Sequence, residues 1–170
     1  MKIENQVCTL EQGKTFKSLG INQGSYFRWI QFRNESSPPD QWGTVHTVLD
    51  KEDDMLYYYE RSYLKDMEDF PALTVAELGV MMPARVMSGG DDYFPQMHKG
   101  RRGWYIQYQT NKKDVVINAD GDIDRPRGYL FNTYRVAYNM AEAIASYLIL
   151  LLENNVITPA EVNERLKATQ

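Results

Sequence analysis

The residue types best suited to chemistry lie in one short segment, His98-Lys99-Gly100-Arg101-Arg102-Gly103-Trp104-Tyr105. It mixes cations with aromatic rings, the two ingredients that hold a single nucleic-acid strand through its phosphates and stacked bases. Arg125 and Arg127 could extend the patch. Against this, Trp104 opens an alternating run with Ile106 and Tyr108 on one face, which reads as core and would bury its ring. A second cluster, His46, Asp50, Asp53 and Asp54, offers carboxylates of the kind that hold Mg²⁺ in a small metal-dependent enzyme. Its bland alternative is a hairpin turn with a histidine on a sheet face.

Other constellations fail on spacing. Asn118, Asp120, Asp122 and Asp124 alternate like the front of a calcium loop, but an EF-hand needs Gly at the sixth position and Glu at the twelfth, where this chain has Ile123 and Tyr129. His46, His98 and Cys8 do not form pairs at zinc-ligand spacing. Cys8 has no basic neighbour to lower its pKa, and no Gly-x-Ser-x-Gly elbow is present. Ser88-Gly89-Gly90 lacks the Lys-Ser/Thr of a phosphate loop and is followed by Asp91 and Asp92, so it reads as a flexible loop. No catalytic residue, metal ligand or cofactor is expected. A protein-binding surface is the remaining candidate: Tyr57, Tyr58, Tyr59 and Tyr63 give contact area at low entropic cost and would also suit a homo-oligomer interface.

The elements that must position these residues follow from patterning. Thr9 with Gln12, Thr74 with Glu77 and Thr158 with Glu161 are three capping boxes, each opening a helix. The first helix should run to about Ser18 and stop through Leu19-Gly20-Ile21. The second ends at Pro83, and the third has Pro159 at its first position and reaches about Ala168. The strongest periodicity covers residues 134–153, where Arg135, Asn139, Glu142, Ser146 and Glu153 make one thin polar stripe on an otherwise apolar helix. Such a helix must be covered on most sides. Its apolar stretch, residues 143–152, is too short to cross a bilayer.

Strand signals occupy residues 25–32, 44–49, 55–59, 104–109 and 114–118. The second and third read as one hairpin and the last two as another. Residues 87–103 and 119–128 are left as loops. The expected fold is a single α+β domain over residues 1–170: an antiparallel or mixed sheet of about five strands against a long buried C-terminal helix, with shorter helices around it.

Composition sets outer bounds. With 170 residues the chain can bury a full core without staples. One cysteine rules out an intrachain disulfide and fits a reducing compartment, and the first residues lack the apolar run of a signal peptide, so a cytoplasmic location is expected. A net charge of -4 opposes general binding along a phosphate backbone and leaves only a local patch.

Several segments in order resemble a group of uncharacterised proteins carried by phages and prophages of gut bacteria. They are residues 9–29, TLEQGKTFKSLGINQGSYFRW; residues 70–83, FPALTVAELGVMMP; the strand WYIQYQ from Trp104; and residues 146–161, SYLILLLENNVITPAE. The resemblance implies a mobile-element origin and a cytoplasmic setting, and it carries no catalytic residue with it. The expected function is that of a non-enzymatic accessory protein that binds another macromolecule, a protein ahead of a nucleic acid and not a membrane. The alternatives are nucleic-acid contact through Lys99, Arg101, Arg102, Arg125 and Arg127, or the carboxylate enzyme.

Overall fold

The computed structural model describes residues 3, 6–21, 25–34, 45–51, 64–110, 116–117, 123–124, 130–131 and 135–168. The chain is α+β. In order, it forms α1 (Leu10–Ser18), β1 (Phe27–Asn34), β2 (Val45–Lys51), β3 (Leu64–Pro71), α2 (Val75–Met81), β4 (Val86–Ser88), β5 (Asp91–Gly100), β6 (Gly103–Thr110), β7 (Val116–Ile117), β8 (Ile123–Asp124), β9 (Arg135–Ala137), α3 (Met140–Glu153) and α4 (Pro159–Lys167).

All three capping boxes form. The Thr9, Thr74 and Thr158 hydroxyls accept from the backbone N–H groups of Gln12, Glu77 and Glu161, and the reciprocal side-chain bonds are present. Helix α1 stops as expected: Gly20 takes φ 82° and the Ile21 N–H donates back to Phe16 O at 2.8 Å, burying both apolar residues. Helix α3 ends by the same device with Asn155 at φ 55° and the Val156 N–H on Leu151 O at 2.9 Å.

Helix α3 is the centre of the core, but it is shorter than its periodicity suggests. It has 14 residues and starts at Met140, because Asn139 caps it by accepting from the Glu142 N–H at 2.7 Å. The preceding Arg135–Ala137, expected as helix, is strand β9. Ala141, Ile144, Ala145, Tyr147, Leu148 and Leu151 are all buried. Each large apolar side chain so covered contributes about 1.5–3 kcal/mol. Part of the polar stripe, at Glu142 and Ser146, is covered too. Gln12, whose Oε1 closes the α1 cap, donates from Nε2 to Glu142 O at 2.9 Å and to Ser146 Oγ at 2.8 Å.

The expected single sheet of about five strands is replaced, among the described residues, by three antiparallel sheets: β2-β1-β3, β4-β5-β6-β9 and the short pair β7-β8. The pairings differ from expectation for a physical reason. Strand β5 takes one edge of β6 along its length, and on β6 the β9 pairing at Trp104–Ile106 and the Leu130 N–H on Tyr108 O occupy further positions, while β7 pairs with β8. Strand β2 pairs with β1, and residues 55–59, its expected hairpin partner, lie outside the described residues.

Most of the expected loop 87–103 is strand. Gly89 and Gly90 at φ 58° and 83° make a two-residue turn joining β4 to β5, and not a flexible loop. Pro95 hides β5 from a propensity reading; it is tolerated because β4 pairs only as far as Tyr93, leaving one side of Pro95 without a neighbour among the described strands.

The three-stranded sheet is tied to the helices at named points. The Trp29 indole N–H donates to Cys8 O at 2.9 Å, Lys17 Nζ reaches Asp69 O at 2.8 Å, and Gly13 lies so close to β3 that a Cβ there would stand 2.5 Å from Pro71 O. Arg28 is buried at 8 % exposure and paired with Asp69. No helix among the described residues is long and apolar enough to cross a membrane.

Candidate functional site

The basic-aromatic segment forms the end of the β5–β6 hairpin. Arg101 and Arg102 are its exposed turn, flanked by the facing pair Gly100 and Gly103. Gly103 is required twice: its φ of 135° is unsuited to L side chains, and a Cβ would meet Ala137 O at 2.2 Å, where β9 closes on β6. At Gly100 the Tyr105 ring lies across the backbone, with Cε2 2.5 Å from where a Cβ would stand, so any other residue would have to move that ring. These contacts fix the direction of the turn.

Cross-strand pairing then sorts the cations and rings onto the two faces of the ribbon. On one face His98 opposes Tyr105, and the rings stack with centroids 5.0 Å apart and planes 2° from parallel. On the other, Lys99 opposes Trp104 and its Nζ sits 5.9 Å from the ring centroid, within cation–π reach. Ile106 and Tyr108 continue Trp104's face into the core and are fully buried, as expected. Trp104 itself differs. Standing at the rim, it is only half-buried and keeps part of its ring accessible.

Under this rim lies a cleft of about 920 Å³ bordered by Gln6, Thr74, Lys99, Trp104, Tyr138 and Asn139. Tyr138 is 94 % exposed, although its neighbour Ala137 is buried against the sheet. The sequence gives no signal for this. Tyr138 and Asn139 reach the cleft because β9 ends beside Trp104 and α3 begins one turn later, which depends on the unexpected strand β9, and Gln6 is held there by the Val75 N–H on its carbonyl and the Val7–Thr74 bridge.

The charge at this end of the hairpin is not cancelled by the acidic residues of β5. Asp91 and Asp92 occupy the opposite end, and Lys99 lies seven positions along the strand from Asp92, about 23 Å. That exceeds the screening length of about 8 Å at physiological salt. Asp92 is also occupied, accepting from Arg85 Nε at 2.6 Å. Among the described residues neither Arg101 nor Arg102 is in an ion pair.

The other candidates are placed as follows. Arg125, Arg127, Tyr57, Tyr58, Tyr59, Tyr63, Asp53 and Asp54 lie outside the described residues, as does the His46 side chain. Asp50 is on β2, where its carboxylate accepts from the Lys51 N–H at 2.8 Å. No three His, Cys, Asp or Glu side chains cluster for a metal among the described residues. Cys8 is fully buried, its Sγ donates to Pro71 O, and burial pushes the thiol up to about 12, so the reactive thiolate is suppressed.

Burial likewise raises the phenol of Tyr108, which donates to Pro83 O. These two titratable groups therefore serve packing. No protein-family model, curated protein or solved structure matches this chain.

Proposed function

We propose that this chain is a non-enzymatic accessory protein of phage or prophage origin that works in the cytoplasm by binding another macromolecule, and that the β5–β6 hairpin holds a nucleic-acid strand. The origin and setting rest on the resemblance carried by residues 9–29, 70–83, 104–109 and 146–161. The nucleic-acid reading stands ahead of a protein partner because of one observation. Three exposed cations, Lys99, Arg101 and Arg102, share one hairpin end with the stacked His98–Tyr105 rings and the open edge of Trp104.

That combination suits a flexible strand. Phosphates are drawn to the cations, and a base can add to an aromatic platform whose rings are already parallel and need no ordering. A duplex would satisfy the arginines but leave the rings unused. The net charge of -4 limits the attraction to this end of the molecule and predicts modest affinity with strong salt dependence.

Fluorescence anisotropy of a labelled oligothymidylate at low salt tests the reading. The intact chain should bind, and the Arg101→Ala/Arg102→Ala variant should bind much more weakly. Absence of binding at low salt would remove the proposal.

A further inference from the structure

We propose that the cleft beneath Lys99 and Trp104 is a nucleotide-binding subsite, taking one base against its aromatic edges and the attached phosphate at Lys99. The inference deepens the strand-binding reading and rests on it in part, but the cleft has features the hairpin turn does not share.

Its volume, about 920 Å³ for a cleft that is itself partly open to solvent, lies in the range of small-molecule sites. Its lining combines the apolar side chains of Val75, Ala76 and Met140 with two partly or fully accessible rings, Trp104 and Tyr138. Lys99 is the one charged side chain among the described residues that border it, so the cleft favours an anion with a flat apolar body. A nucleotide has that character, and an uncharged apolar ligand would leave Lys99 unused.

Tyr138 is the strongest single pointer. A tyrosine usually buries much of its ring, yet this one stands 94 % exposed beside a core helix, where folding gains little from it. A base stacked there would cover the ring. The amides of Gln6 and Asn139 lie at the same border and supply donors for a base edge; the Asn139 Oδ1 is already engaged by the Glu142 N–H, which fixes its side chain.

The ligand chemistry has two sources, a free nucleotide or one residue of a strand, and the test separates them. AMP, adenosine and a labelled oligothymidylate are each titrated into the full-length chain and into the Tyr138→Ala and Lys99→Gln variants. Both substitutions are at exposed positions, and melting curves establish that each variant folds.

AMP should bind the intact chain. Tyr138→Ala should weaken it roughly fivefold or more, the low end for loss of one aromatic–base stack. Lys99→Gln should erase the preference for AMP over adenosine. Oligonucleotide binding that Tyr138→Ala leaves unchanged, together with no response to AMP, would overturn the subsite and leave the strand reading standing. AMP binding that depends on Tyr138, with no oligonucleotide binding, would uphold the subsite and overturn the strand reading. AMP binding equally well to Tyr138→Ala would place the nucleotide elsewhere and overturn the subsite.

Discussion

The helical core and the end of the β5–β6 hairpin use side chains in opposite ways. Around α3, apolar residues are removed from water and polar groups are satisfied internally, down to Gln12, whose amide oxygen closes the α1 cap while its nitrogen bridges to α3. At the hairpin end, the cations and the His98 ring face solvent, the Tyr105 and Trp104 rings are partly covered, and the backbone is held by two glycines that no other residue could replace without displacing Tyr105 or β9. One region determines that the chain folds. The other presents three exposed cations, Lys99, Arg101 and Arg102, that the core does not use, and that contrast is the argument for placing binding there.

The contrast breaks if core changes alter binding selectively, or if changes at the exposed turn cations Arg101 and Arg102 alter stability. The largest expected effect is Leu148→Ala, which deletes a fully buried side chain at the middle of α3 and should cost about 2–5 kcal/mol in chemical denaturation. Oligonucleotide affinity should be unchanged wherever the variant is folded. Gln12→Glu comes next. It keeps the acceptor that closes the α1 cap but loses both bonds to α3 and sets a carboxylate against Glu142 O, so about 1–3 kcal/mol should be lost, measured by the same method.

Thr158→Ala is smaller, about 1 kcal/mol for a lost N-cap, read as a lower melting temperature. This position also sharpens the pH dependence. Hydrogen bonds from the Thr158 N–H and hydroxyl hold the Glu161 carboxyl below its usual 4.5. The folded state thus favours the ionised form. Its contribution is present above pH 4.5 and is lost as pH falls through the lowered folded value. Thr158→Ala should flatten that acid limb, because one of the two bonds is gone.

The parts of the fold legible in the sequence are those encoded within a few residues. Three capping boxes, Pro159 at the start of α4, the glycine stop after α1 and the Trp104–Ile106–Tyr108 alternation are local devices, and each is found in the structure. What was not legible depends on partners distant in sequence. Strand β9 reads as helix because its three residues continue the periodicity of α3, and only pairing with Trp104, Tyr105 and Ile106 makes it a strand.

Asn139 followed three residues later by Glu142 was the available sign that α3 starts late. Strand β5 is masked by Pro95 and by polar residues that suit an exposed ribbon. The candidate site divides in the same way. Lys99, Arg101, Arg102 and Trp104 stand together in one segment and could be picked out directly, whereas the cleft needs Gln6 and Tyr138 brought from far along the chain.

The most direct test of the contrast is the salt dependence of oligonucleotide affinity for the intact chain and for Arg101→Ala/Arg102→Ala, with melting temperatures recorded on the same samples. Two exposed turn residues outside the core should change stability by no more than about 0.5 kcal/mol. Losing two phosphate contacts to a single strand should reduce the slope of log affinity against log salt by about 1.4. An unchanged melting temperature with that shallower slope is the predicted result. An unchanged slope, or a fall in affinity explained by unfolding, would contradict the placement of binding at the hairpin end.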